Sequence, residues 1–135
     1  MTTDQNRTVA QDLLQAIGTG ASPDAIARMF HDDVVFEVPG DDGALPWIGR
    51  KTGHAAVRAF ILENRRLLEP RGFDVHDIVA DRNRAVILGA LSSLVLATGR
   101  TIETQFAIIL SISDGRISHF LMLEDSFHVS VATRP

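Results

Sequence analysis

Glu124 is the side chain in this sequence best placed to do acid–base chemistry. It follows Phe120-Leu121-Met122-Leu123 near the end of a long apolar run. On a strand, residues two apart share a face. Phe120, Met122, Glu124 and, if the strand runs on, His128 then form one set; His119, Leu121, Leu123 and Asp125 form the other. A carboxylate held among Phe, Met and Trp side chains is desolvated, and its pKa rises. That makes a general acid or base usable near neutral pH. The competing reading leaves Glu124 in solvent at the strand end, or pairs it with Arg50 or another arginine at the rim. His54, in Thr52-Gly53-His54-Ala55, falls in the first turn of a helix and is the second catalytic candidate; the competing reading is a surface residue of a capping segment. His119 falls on the opposite strand face, where a partner strand could bond it. His31, Asp32 and Asp33 are consecutive, read as a turn, and cannot all converge on one ion. Neither His-x-Glu nor His-Glu-x-x-His spacing occurs, so no metal is expected. A Ser/His/Asp signature, a Gly-rich phosphate loop and basic–aromatic interleaving are also missing, and no cofactor is expected.

The elements that must hold these residues are legible in order. Residues 4–18 read as a helix capped by Thr3, with Val9, Leu13, Leu14 and Ile17 on one face and Gly18 and Gly20 at its end. Ser22-Pro23-Asp24 opens a short second helix. Val34–Val38 is a strand. Residues 39–50 form a loop rich in Gly, Pro and Asp that carries Trp47, read as a lid or rim residue. A third helix is expected from a Thr52 cap to about Glu69, with Val57, Phe60, Ile61 and Leu68 as its apolar stripe and Pro70 and Gly72 as its stop. Strands follow at Phe73–Ala80 and Ala85–Ala97. A hairpin spans residues 101–129 around Asp114-Gly115, since Asp-Gly between two apolar runs is a strong hairpin signal. Helices followed by an antiparallel meander make an α+β domain. Phe36, Val38, Phe60, Phe106 and Ile108 read as core or cavity lining.

Both faces of the strands around Val86–Leu91 and Phe106–Leu110 are apolar. The helices can cover one sheet face, and no element remains for the other. A homodimer packed sheet to sheet is therefore expected; the alternative is a sheet that curls enough to bury part of both faces itself.

At 135 residues the chain is expected to be a single domain, 1–135, able to bury its own core. Its 45% apolar and 22% charged content is that of a globular protein. A net charge of -4 argues against nucleic acid or an anionic membrane as partner, because both need a basic face. With zero cysteines, disulfides and thiolate chemistry are excluded, and a reducing cytoplasm is the simplest location. The polar N-terminus, MTTDQNRTVAQDLL, lacks a signal-peptide pattern, and no apolar run of about 18 residues suggests a membrane span.

The segments FHDDVVFEVPG, IGRKTGHAAVRAFI and DGRISHFLMLED, in this order and around a Gly-rich loop, resemble the nuclear transport factor 2-like superfamily, and within it the SnoaL-like and ketosteroid isomerase-like branch. The similarity runs from about Val9 to His128. It implies a cone-shaped, cystatin-like α+β barrel, with three N-terminal helices packed on a curved, mixed and mostly antiparallel sheet. It also implies that the set containing Phe120, Met122 and Glu124 faces the cavity. The positions matching the isomerase's phenol, general base and second carboxyl are Leu14, Val38 and Ile108 or a neighbour. All three are apolar, and a steroid-isomerase mechanism needs a base and two donors to an enolate oxygen. The acid/base position of the SnoaL-like cyclases falls at Met122, which puts cyclase chemistry in doubt, and Glu124 lies two residues further along that face.

Two readings follow. In one, the cone is a cofactor-free enzyme that uses Glu124 on a small apolar, carbonyl-bearing substrate, with His54 or His128 assisting, and Leu14, Phe36, Val38, Trp47, Phe60, Phe106, Ile108, Phe120 and Met122 lining the site. In the other, the same cone binds an apolar molecule without turnover, or packs shut and works through its dimer face.

Overall fold

The computed structural model describes residues 2–135. Its elements are α1 (Thr3–Gly18), α2 (Pro23–Ala27), β1 (Phe30–Val38), β2 (Gly49–Thr52), α3 (His54–Leu67), β3 (Leu68–Ala80), β4 (Arg84–Val95), β5 (Thr101–Ser113), β6 (Arg116–Glu124) and α4 (Ser126–Thr133). The strands make one six-stranded sheet in the order β2-β1-β6-β5-β4-β3. Every neighbouring pair is antiparallel except β1 and β6, which run parallel. The expected mixed, mostly antiparallel α+β cone is what forms.

Local chemistry sets the helix starts. Thr2, not Thr3, caps α1: its hydroxyl accepts from the Gln5 N–H, and the Gln5 side chain accepts from the Thr2 N–H. Ser22 caps α2 through the Ala25 N–H, with Pro23 in the first turn. The cap of α3 is Gly53, at φ 88°, and no side chain bonds there. Thr52 belongs instead to β2, a strand the loop reading missed, paired with β1 from Val35↔Thr52 to Val38↔Gly49.

Three other boundaries differ from expectation. His31-Asp32-Asp33 lies inside β1, where pairing with β6 is irregular between Phe30 and Val35, so it is an uneven strand start and not a turn. The chain passes from α3 straight into β3, so Pro70 and Gly72 sit within a strand. A proline is tolerated there because β3 is an edge strand whose pairing is already broken beside Pro70. Pairing of β3 with β4 shifts register between Pro70 and Gly72 and again between Val75 and Asp77. Finally, the hairpin ends at Glu124 and the chain turns into α4.

The helices lie on the inner face of the curved sheet, and the core sits between them. Phe30, Phe36, Val34, Val38, Leu13, Ile26, Val57, Ile87, Leu110, Ile117 and Val129 are fully buried there. Each such side chain contributes roughly 1.5–3 kcal/mol. Phe36 and Phe120 stack in parallel with centroids 4.3 Å apart, and Phe60 of α3 lies 4.9 Å from Phe36. The outer face carries two apolar rows across three strands, Val86↔Ile109↔Leu121 and Leu88↔Ala107↔Leu123. Leu88 and Leu123 are exposed, and among the described residues no other element covers them. Among the described residues, no helix is long and apolar enough to cross a membrane.

Candidate functional site

The strand alternation places Glu124 on the inner face. Phe120 and Met122 are buried while Leu123 is exposed, so β6 directs its even-numbered residues inward up to its last position. Directly across the ladder from Glu124 is Phe106 of β5, and from Met122, Ile108. Opposed residues share a face with Cβ atoms about 5 Å apart. Burial pushes the Glu124 carboxyl up from 4.5 to about 7. Desolvation of the charged form is the whole cause, because no neighbouring charge offsets it.

Arg50 is not the partner that the sequence offered as an alternative. Its guanidinium meets Glu37 at 3.5 Å. His119 Nε2 donates to the same Glu37 oxygen at 3.2 Å. These three form a polar cluster beside the apolar rows of the outer face, with the thickness of the sheet between them and Glu124.

The region around Glu124 is closed by α4 and by the loop that follows β1. Asp125 caps α4, accepting from the His128 N–H, and its own N–H donates to the Thr104 hydroxyl of β5 at 2.9 Å. Ser130 of α4 donates to Asp41 of the loop at 2.6 Å. Thr98 and Arg100, from the β4–β5 turn, donate to the Ala132 and Val131 carbonyls. His128 therefore rides on a helix, one turn beyond Glu124, and not on the strand face first considered. Its Nε2 is buried without a hydrogen-bond partner. No helix was legible here because Ser-Phe-His-Val-Ser-Val-Ala-Thr is rich in weak helix formers and has no polar stripe. The one readable signal was Asp125 as a cap.

His54 is placed elsewhere. Its Nε2 donates to the Phe30 carbonyl at 2.8 Å and lies 3.6 Å from Asp32. Phe30 pairs with Ile117, at the other end of β6 from Glu124, roughly 20 Å away along the strand. The structure does not bring the two catalytic candidates together: His54 ties the start of α3 to the start of β1.

The residues expected to line a cavity do converge, but on one another. Phe36, Val38, Phe106, Ile108, Phe120 and Met122 are buried on the inner face, and Phe60 and Leu14 pack on them from α3 and α1. Trp47 is not a rim residue. It is 6% exposed and meets Phe60 edge-on at 5.6 Å, so the loop drives it into the core.

Sequence reasoning missed Phe73 and Gly89. The Phe73 ring stacks on Phe106 with centroids 5.0 Å apart and planes 24° apart, yet remains 49% exposed. Phe106 in turn lies over the bare backbone of Gly89, on the next strand. A lone glycine inside an apolar strand was the available signal, since it marks a close approach. Glu124, Phe106 and Phe73 thus make a short row from β6 to the sheet edge. Among the described residues, no group of three or more His, Asp or Glu side chains could hold a metal ion.

Residues 10–120 match the family model of the SnoaL-like domain. The chain is similar in structure to a nuclear transport factor 2-like protein from Burkholderia xenovorans, with 22% identity, a TM-score of 0.89 and 99% of each chain covered. It is also similar to a protein from Mesorhizobium loti described as a SnoaL-like polyketide cyclase, at 14% identity and TM-score 0.70 over 86% of this chain and 96% of that one. A LEH-like epoxide hydrolase from Mycobacterium tuberculosis aligns at 15% identity and TM-score 0.72 over 97% and 90%. At these identities the likeness is one of fold. No curated protein matches the chain.

Proposed function

We propose, for a chain that belongs to the SnoaL-like domain family, that the Glu124 end of the cone takes up a small apolar, carbonyl-bearing molecule and that Glu124 exchanges a proton with it. The observation that carries this reading is the Glu124 carboxyl itself. It is desolvated on the inner face beside Phe106, and burial alone raises it to about 7. Near neutral pH such a group is present in both forms. The acid can donate to a carbonyl oxygen, and the carboxylate can remove a proton from the adjacent carbon and return it elsewhere. Positioned proton transfer of this kind contributes about 10²–10⁴-fold in rate. The buried, unpartnered Nε2 of His128 supplies a second polar atom near the same end of the cone for a substrate to satisfy. Cofactor-free isomerisation, cyclisation, dehydration and hydrolysis all fit this machinery. Steroid isomerisation does not, because Leu14, Val38 and Ile108 stand where its donors and base would be.

A second reading is favoured by the aromatic packing of Phe36, Phe60, Phe120 and Trp47, which fills the interior with the protein's own side chains. On that reading the cone binds without turnover, and the outer sheet face is the working surface. The same uncovered face is the reason we propose a homodimer under either reading, and the absence of cysteine fits a cytoplasmic location.

The test is Glu124→Gln. The carboxamide keeps the size of the side chain and removes the proton. In a turnover screen over small cyclic and aromatic carbonyl compounds, the enzyme reading expects activity in the wild type and its loss in the variant. Binding that is unaffected by the change, with no turnover in either protein, supports the second reading.

A further inference from the structure

We propose that Phe73 is a gate, and that the ligand is a planar unsaturated ring which displaces Phe73 from Phe106 and takes its place in the stack, with its carbonyl beside Glu124. The inference rests on the Glu124 reading above and adds the substrate class and the route of entry.

Three observations meet at this point. First, Phe106 is held rigidly. It is 4% exposed, faces Glu124 across the ladder, and its ring tip fills the space over Gly89 that a side chain would otherwise occupy. Second, one side of that fixed ring is covered by Phe73 alone among the aromatic side chains, at stacking distance. Third, Phe73 is the loosely held member of the pair. It is half exposed, on an edge strand, between two register irregularities and directly after Gly72. Edge position and broken pairing are where local opening is cheapest. With 49% of its surface exposed, the Phe73 side chain can swing outward into solvent, and that movement bares Phe106.

The class of ligand follows from what the vacated place offers. Its floor is a flat aromatic ring at the offset-stacking separation, which favours a planar π-system over an aliphatic ring of equal size. Its one titratable neighbour across the ladder is Glu124, whose acid form donates a single hydrogen bond to a carbonyl. The charged and titratable groups nearest this end of the cone are His128 and Asp125 on α4 and Asp41 on the loop. Asp41 is already bonded to Ser130, and Asp125 to the backbone of its own helix.

The experiment titrates 2-acetylnaphthalene and, as the aliphatic control, acetylcyclohexane into the wild type, Phe73→Ala, Phe106→Leu and Glu124→Gln, following binding by calorimetry. Circular dichroism melts accompany each titration to establish that the variants fold. Phe73→Ala removes the competing ring and is expected to tighten the aromatic ketone by about fivefold, the scale of one aromatic pair. Phe106→Leu is expected to weaken it by at least as much, and acetylcyclohexane is expected to change little in either variant. Equal or weaker binding of the aromatic ketone to folded Phe73→Ala overturns the gate. No preference for the aromatic over the aliphatic ketone, or no binding of either by wild type and Phe73→Ala, overturns the ligand class. If Phe73→Ala tightens binding while Glu124→Gln leaves it unchanged, the gate stands and the role assigned to Glu124 falls.

Discussion

The ring of Phe106 occupies the place a Gly89 side chain would need: a Cβ built on Gly89 would lie 2.7 Å from Phe106 Cζ, and it would also collide with the Asp74 carbonyl oxygen. The side chain on one strand and its absence on the next are a single packing unit. Gly89→Ala is therefore expected to destabilise the protein by about 1–3 kcal/mol, the range for overpacking a close-packed site. Adding Phe106→Leu relieves only the ring contact, because the Asp74 carbonyl is backbone and cannot move aside. Urea unfolding of the two single variants and the double should show partial, not full, rescue. Full additivity of the two costs means that the ring and the glycine are not coupled.

Stability should fall as pH rises through the range in which Glu124 titrates. Its folded-state pKa is about 7 and the ordinary value is 4.5, so between these the folded protein holds a proton that the unfolded chain releases. Stability is then full below about 4.5, declines toward 7, and stays low above it. The size is at most roughly 3 kcal/mol for a shift of this extent. Glu124→Gln removes this component. The difference between wild type and variant, read from urea midpoints at pH 5, 6, 7 and 8, should move in favour of the variant as pH increases. A difference that stays constant across that range means that the carboxyl titrates as an ordinary surface group.

Replacing His54 by Ala should lower stability by about 1 kcal/mol through loss of the Nε2 bond to the Phe30 carbonyl. It should leave any turnover, and its pH profile, unchanged. A change in the profile would return His54 to the site from which its position at the far end of β1 removes it.

The outer face gives a separate expectation. Leu88 and Leu123 stand exposed in one cross-strand row with Ala107, flanked by the Val86, Ile109 and Leu121 row. If a second copy covers them, sedimentation should give about twice the chain mass of 14.7 kDa. Leu123→Glu, which sets charges against each other across a two-fold axis, should then yield a monomer. A wild-type monomer at micromolar concentration excludes this interface.

Much of the architecture was legible because it rests on short-range chemistry. Alternation put Phe120, Met122 and Glu124 on one strand face, since a strand has period two, while the family resemblance implied that this face is the inner one. Asp114-Gly115 marked the hairpin, Ser22-Pro23 marked α2, and the segments shared with the SnoaL-like family indicated the cone that the family model and the similar folds bear out. Those signals are carried by neighbours in the chain and survive without knowledge of what packs against them.

The tertiary structure alone decided the rest. Whether Pro70 stops a helix or sits in a strand depends on β3 being an edge, a property of the whole sheet. Trp47 lies in a loop by sequence and in the core by packing, because Phe60 offers it an edge-on partner. The sequence Ser126–Thr133 has no helical pattern of its own, yet it winds into α4 where Asp125, Thr104, Thr98 and Arg100 satisfy its ends. Burial of Glu124, and with it the pKa near neutrality, needed Phe106 and the closing elements in place. Residue types and their spacing determined which groups could do chemistry; only long-range contacts could strip water from one of them.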